Sequence, residues 1–289
     1  MSGEPTVRVF EDPTATSRAA AEAIAEALAE AVRERGRADW ATTGGSTPAG
    51  IYRELAVEPL RDAVPWTSVH AWWGDDRFVP RDHPLSNVMP FDQILTSAAG
   101  RAGLSGTGST GSDVHSHATE VAPGMEPGVW IPDENVHAPR VSEAIARATG
   151  AGSVAMDYEA ELRAAPLAVA DSGFPIFDVM LVGIGSDGHV LSVFPGSPLF
   201  DGSAWVSSVP APEHIEPHVA RLTLHPGVLE VARLPIVVAH GAGKAAILAS
   251  VLAGERDVRS LPAQLVRRSG AIWFLDREAA ASLPDALRG

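Results

Sequence analysis

FDVMLVGIGSDGHVLSVFPG, running from Phe177 to Gly196, decides the fold. Asp178 to Val182 is a short apolar run with two valines, the pattern of a strand buried on both faces. It stops at Gly183-Ile184-Gly185-Ser186-Asp187-Gly188-His189, where three glycines let the backbone turn sharply and leave room for a ligand against the main chain. An acid and an imidazole stand two residues apart on that turn. Open α/β sheets hold their ligands outside the carboxyl ends of their strands. The turn therefore predicts an active site centred on His189.

Gly183 to Gly188 also matches G-x-G-x-x-G, the dinucleotide-binding pattern. That pattern has to open a full helix, and Pro195 leaves room for only about two turns after Gly188. The first strand–helix unit, where the pattern usually sits, lacks it. No cofactor is expected.

Working outward, the same strand–turn–helix grammar recurs. Thr6 to Phe10 reads as a first strand, followed by Ala20, Ile24, Leu28 and Val32 at four-residue spacing, an amphipathic helix ended near Gly36. Asp39 to Thr43 is a second strand running into Gly44-Gly45-Ser46-Thr47-Pro48, where Ser46 or Thr47 is expected to cap a helix that accepts Pro48 in its first turn. Val69 to Trp73 is a third strand, ending in a loop at Gly74-Asp75-Asp76-Arg77. A helix carries Val154, Tyr158 and Leu162. Trp205 to Val209 and Arg221 to Leu224 are strand-like, Pro235 to His240 leads into Gly241-Ala242-Gly243-Lys244 and a helix, and Ala271 to Leu275 is the last strand. The alternation predicts an α/β fold, an open, mostly parallel sheet with helices on both faces, Rossmann-like and doubly wound. The expected organisation is one domain over 1–289, with a flexible Gly/Ser-rich insertion at about 97–129.

Composition narrows the function. A formal net charge of −14 repels nucleic acid and anionic membrane, so neither is an expected partner. Any anionic ligand has to be held by a few local Arg and Lys residues. Cysteine is absent, which excludes disulfides and thiolate metal sites. No apolar run reaches the roughly eighteen residues of a membrane span. The opening MSGEPTVRVFEDP lacks a basic region followed by an apolar core, so no export signal is expected and a cytoplasmic location is. His115 with His117, and His214 with His218, do not form a helical H-E-x-x-H, so no metal is expected. A serine-hydrolase elbow, G-x-S-x-G, does not occur.

Three other strand ends carry chemistry. Glycine N–H groups, a helix start and two hydroxyls make Gly44 to Thr47 a candidate anion site, although a plain cap after a tight turn has the same composition. Lys244 stands at a helix start, where the macrodipole disfavours a cation unless an anion lies nearby. Arg221 opens its strand with the same two readings, anion grip or solvated charge. Asp75 and Arg77 offer a carboxylate to poise a base and a guanidinium for an oxyanion, or an exposed ion pair.

With these residues in view, the chain resembles the family of 6-phosphogluconolactonases and glucosamine-6-phosphate deaminases. The resemblance covers nearly the whole length outside the insertion. It rests on GGSTP (Gly44 to Pro48), WGDDRFVPRDHPLSN (Trp73 to Asn87), DVMLVGIGSDGHVLSVFPGS (Asp178 to Ser197), RLTL (Arg221 to Leu224) and GAGKAAIL (Gly241 to Leu248). The deaminases carry a glutamate shortly after the histidine, where this chain has Phe194, and a D-E-Y-like segment where it has Asp76-Arg77-Phe78. Both differences favour the lactonase branch. Asp76 stands where the lactonases usually have glutamate, and Val190 to Val193 replaces a T-A-S-L-like run.

The resemblance implies hydrolysis of a sugar-phosphate lactone, without cofactor or metal, by a monomer or small homo-oligomer. It implies His189 as the base that activates water, with Asp75 in support and Arg77 against developing negative charge. Ser46, Thr47, Arg221 and Lys244 would hold the phosphate above the Gly44 and Gly45 backbone. Gly185 and Gly188 shape the turn, and Asp187 fixes either the turn or the imidazole. A deaminase–isomerase and a non-catalytic sugar-phosphate sensor are the alternatives.

Overall fold

Apolar alternation along the strands sets the architecture of the computed structural model, which describes residues 3–96 and 128–288. The insertion expected at about 97–129 lies almost wholly outside the described residues. The strands are β1 (Thr6–Phe10), β2 (Ala38–Thr42), β3 (Val69–Trp73), β4 (Asp75–Arg77), β5 (Val136–His137) and β6 (Ala168–Val169). They continue with β7 (Pro175–Ile176), β8 (Val179–Val182), β9 (Val206–Val209), β10 (Arg221–Leu224), β11 (Leu234–Ala239) and β12 (Ile272–Asp276). Seven strands form one sheet in the order β1-β12-β11-β8-β2-β3-β5, with every neighbouring pair parallel.

Because side chains alternate across a strand, each central strand feeds two cores. Val179, Leu181, Ile236, Val238 and Phe274 bury on one face. Met180, Val182, Val237, Ala239, Trp273 and Leu275 bury on the other. Helices α1 (Pro13–Arg35) and α2 (Ser46–Leu55) cover the first face with Ile24, Leu28, Ile51 and Tyr52. Helices α3 (Ala151–Ala164) and α4 (Ala245–Ala253) cover the second with Val154, Tyr158, Leu248 and Val251. This is the doubly wound sheet that the alternation predicts. Helix α1 begins where the Asp12 carboxylate accepts from Ala15 N–H at 2.8 Å. It ends at Gly36, whose φ of 73° suits the left-handed cap that the sequence places there. Among the described residues, no helix is long and apolar enough to cross a membrane.

Strand order reverses between β2 and β8. From β2 the chain steps outward to β3 and β5, and from β8 it steps the other way through β11 to β12. The loops leaving β2 and β8 therefore flank a crevice at the topological switch point, where such sheets bind ligands.

Two expectations need correction. Asp75 to Arg77, read as a loop, is a strand, and it pairs antiparallel with β10. Together with β9 it forms a separate three-stranded sheet in the order β4-β10-β9, so Trp205 to Val209 and Arg221 to Leu224 do not extend the main sheet. Gly74 links the two sheets: its N–H donates to Thr42 at 3.0 Å and its carbonyl accepts from Leu224 at 2.8 Å. A Cβ there would stand 2.6 Å from Leu191 Cδ2, so any larger residue would have to displace that side chain. The second correction concerns α2, whose N-cap is Gly45, at φ 105°, with no side chain capping the helix. Ser46 and Thr47 are the first residues of the helix itself, which leaves both hydroxyls free of a capping role.

Candidate active site

The turn after β8 is built around one imidazole. His189 Nδ1 lies 2.6 Å from Asp187 Oδ1, which also accepts the His189 backbone N–H at 3.1 Å. Gly185 N–H donates to the His189 carbonyl at 2.9 Å and Gly188 N–H to the Gly185 carbonyl at 3.1 Å, closing the loop. Gly188 needs its freedom, at φ 85°. Gly185 needs its missing side chain, because a Cβ would fall 2.0 Å from His189 Nδ1. Burial alone would raise the Asp187 carboxyl, but hydrogen bonds from His189 and His214 and the nearby imidazole charge hold it well below the usual carboxylate range. An ionised carboxylate only accepts, so the His189 Nδ1–H donates to Asp187. Asp187 thus bonds both the imidazole and the backbone of the turn, the two alternatives the sequence left open. No helix follows Gly188; an isolated antiparallel bridge joins Val190 to Val193, which removes the dinucleotide pattern altogether.

The small sheet supplies the charges. Antiparallel register sets Arg221 opposite Arg77 and Thr223 opposite Asp75. Alternation turns Asp75 and Arg77 one way, into a chamber of about 150 Å³ lined also by Thr43, Gly185, His189 and Arg221. Like charges directly opposite each other on neighbouring strands repel. Burial pushes the Arg221 guanidinium down from its ordinary value, with Asp75 opposing that shift and Arg77 adding to it. Both guanidinium groups also keep a buried Nε without a protein partner among the described residues. An anion in the chamber would relieve this arrangement. Asp75 is held by Ser192 Oγ at 2.7 Å and Asn87 Nδ2 at 3.1 Å.

Asp76 points away from the chamber and is 1% exposed. Its Oδ1 accepts from Arg77 N–H at 2.8 Å and Asn87 N–H at 2.7 Å. Burial raises its carboxyl to about 7 despite those bonds. The folded state therefore keeps a proton that the unfolded chain loses near its own lower value. Stability falls as pH rises between those two values, and the penalty is complete above the folded value. Asp76→Asn keeps an oxygen for both N–H groups and cannot ionise. Thermal melts are expected to show the variant gaining several degrees over the wild type at pH 8, with the gain vanishing near pH 4. Equal gains at both values would contradict the burial account.

A second cleft of about 330 Å³ adjoins the chamber, sharing Gly44 and Leu181 to Ile184 with it. Gly45, Ser46, Thr47, His240 and Lys244 line it. Lys244 Nζ donates to the Ile184 carbonyl at 2.7 Å, and burial pushes its ammonium down while Asp187 opposes the shift. Gly44 presses against the β4–Asn87 segment, since a Cβ would lie 2.3 Å from Asn87 Cα. The structure thus gathers the expected residues into one crevice but divides them. Ser46, Thr47 and Lys244 share the outer cleft, whereas Arg221 lies with His189, Asp75 and Arg77. Among the described residues, no cluster of three or more histidine and carboxylate side chains is arranged to hold a metal ion.

The family of glucosamine-6-phosphate isomerases/6-phosphogluconolactonase matches residues 11–274. The chain belongs to this family. The 6-phosphogluconolactonase of Streptomyces coelicolor is 29% identical over 288 residues, covering 99% of this chain and 98% of its own. That of Mycobacterium tuberculosis is 30% identical over 280 residues, covering 96% and 98%. The solved 6-phosphogluconolactonase of Trypanosoma brucei superimposes with a TM-score of 0.74 at 28% identity, covering 98% of this chain and all of its own. Within this glucosamine-6-phosphate isomerase/6-phosphogluconolactonase framework, the sequence reading missed Ser192, Asn87 and His240. Ser192 and Asn87 bond a carboxylate 117 and 12 residues away, and Ser192 is also tied to β10 by its N–H, which donates to Thr223 Oγ1 at 3.1 Å. His240 lines the outer cleft with a buried Nε2 that lacks a protein partner among the described residues, and its only sequence signal was a position just after β11.

Proposed function

We propose that the chain hydrolyses 6-phospho-D-glucono-1,5-lactone to 6-phospho-D-gluconate, a step of the oxidative pentose phosphate pathway, with His189 as general base. One observation carries the reading. The Nδ1 side of His189 is tied to an ionised Asp187, and Nε2 takes no protein partner among the described residues, beside two opposed guanidinium groups. A base, a positive field and an adjoining anion cleft are what opening a phosphorylated lactone requires.

In this reading the substrate phosphate rests on the Gly44 and Gly45 backbone at the start of α2, with Ser46, Thr47 and Lys244 around it. The lactone ring then reaches into the chamber. Water attacks the C1 carbonyl as its proton passes to His189 Nε2. Arg77 faces the tetrahedral oxyanion, and Arg221 adds to the positive field that stabilises it. When the bond between C1 and the ring oxygen breaks, the imidazolium returns its proton to that oxygen, giving the acid and restoring the base. Asp75, fixed by Ser192 and Asn87, sets a negative charge beside the two guanidinium groups.

Phe194 separates this reading from the deaminase. Its ring centroid is 4.7 Å from that of His189, so an aromatic face rather than a carboxylate packs on the imidazole. The test offers both substrates: freshly generated lactone, followed by acid release, and glucosamine 6-phosphate, followed by ammonia. Acid without ammonia supports the lactonase, and ammonia release would overturn it. Lys244→Ala is expected to raise KM for the lactone roughly 10- to 100-fold, the range for losing a charge-assisted hydrogen bond, with kcat little changed. A large fall in kcat at unchanged KM would remove Lys244 from the phosphate grip.

A further inference from the structure

We propose that His214 is a positioning residue for the general base, acting through Asp187. Its kinetic consequence rests on the lactonase reading, whereas its geometry does not. Asp187 uses its two oxygens separately. Oδ1 takes the Nδ1–H of His189 at 2.6 Å, and Oδ2 takes the Nε2–H of His214 at 3.0 Å. Since the carboxylate is ionised and only accepts, both imidazoles donate to it.

His214 comes from the connection between β9 and β10, far from the β8 turn in sequence. That connection is braced, because His218 Nδ1 lies 2.6 Å from the Pro212 carbonyl and Arg221 Nη2 donates to the Pro217 carbonyl at 3.2 Å. Phe194 fills the space between the parts. Its ring stands edge-on to His214 at 5.5 Å and tilted against His189 at 4.7 Å, with the Arg221 guanidinium 5.3 Å away. His214 itself is more than half exposed and lines neither chamber nor cleft.

Asp187 Oδ1 takes two donors, the His189 Nδ1–H and backbone N–H, which restrain the broad terminal torsion of the carboxylate from one side only. A donor on the second oxygen fixes its plane. That plane sets the direction of the Nδ1–H bond, and so the direction in which Nε2 points across the ring. His214 thus aims the base without touching the substrate.

The test compares His214→Ala with His214→Gln, whose amide nitrogen can make the same bond to Asp187. His214→Ala is expected to lower kcat roughly three- to ten-fold, the range for one net hydrogen bond, with KM within about twofold. His214→Gln is expected to recover most of that loss. In the substrate-free protein, the NMR resonance of the His189 Nδ1 proton should shift in His214→Ala and hold its place in His214→Gln. An unchanged resonance and kcat in His214→Ala, or a glutamine variant as impaired as the alanine one, would overturn the proposal. Should the wild type fail to open the lactone, the lactonase reading falls, and the resonance still decides whether His214 positions His189.

Discussion

Replacing Gly185 with alanine is expected to lower kcat by at least about 100-fold in a protein that still folds. A Cβ at this position would stand 2.0 Å from His189 Nδ1, 2.2 Å from His189 Cε1 and 2.6 Å from Asp187 Oδ1. None of these atoms can yield separately, because the imidazole and the carboxylate are bonded to each other at 2.6 Å. The pair must move together by an ångström or more. Misplacing a reacting group by about 1 Å costs on the order of 10²-fold in rate. The strain stays local, since β8 beneath the turn is anchored in both cores by Val179 to Val182. Steady-state kinetics with a thermal melt would check this: a melting temperature within a few degrees of wild type, KM little altered, kcat collapsed. A variant with near wild-type kcat would mean that the position of the imidazole is not critical.

The second large effect is His189→Ala, for which kcat is expected to fall by about 10² to 10⁴-fold, the usual contribution of general-base catalysis. The loss should fall on kcat and not on KM. Ser46, Thr47 and Lys244 hold their places in the outer cleft without help from the imidazole. Some rate should survive above the spontaneous reaction, because Arg77 and Arg221 still present positive charge to a forming oxyanion. Folding should also survive, with Asp187 keeping its bond to His214 at 3.0 Å. Initial rates over a range of lactone concentrations separate the two parameters.

Much of this site was legible in the sequence because local chemistry specified it. The β8 turn has glycines where the backbone bends and where the ring needs room, and an acid two residues before the imidazole. The core strands read correctly because their apolar residues bury on both faces, and α1 read correctly to its end because Gly36 takes the left-handed cap. The misreadings share a physical cause. Asp75 to Arg77 is a strand whose outward face lines a polar chamber, so it lacks the apolar alternation by which strands are found. Ser46 and Thr47 looked like caps because their side chains suit that role, yet Gly45, with its positive φ, takes the cap position. The grouping of Arg221 with Arg77 follows from the pairing of β10 with β4, and the contact of Ser192 with Asp75 from the docking of the β8 turn on Thr223, the residue opposite Asp75. Neither leaves a mark in local composition.

The measurement that tests the central claim most directly is the rate of 6-phosphogluconate formation from freshly generated lactone at saturating concentration and pH 7. Wild type and His189→Ala are compared, each corrected for spontaneous hydrolysis. The account predicts a saturable wild-type rate well above the background and a variant rate about 10² to 10⁴-fold lower at similar KM. Equal corrected rates for the two proteins would contradict it.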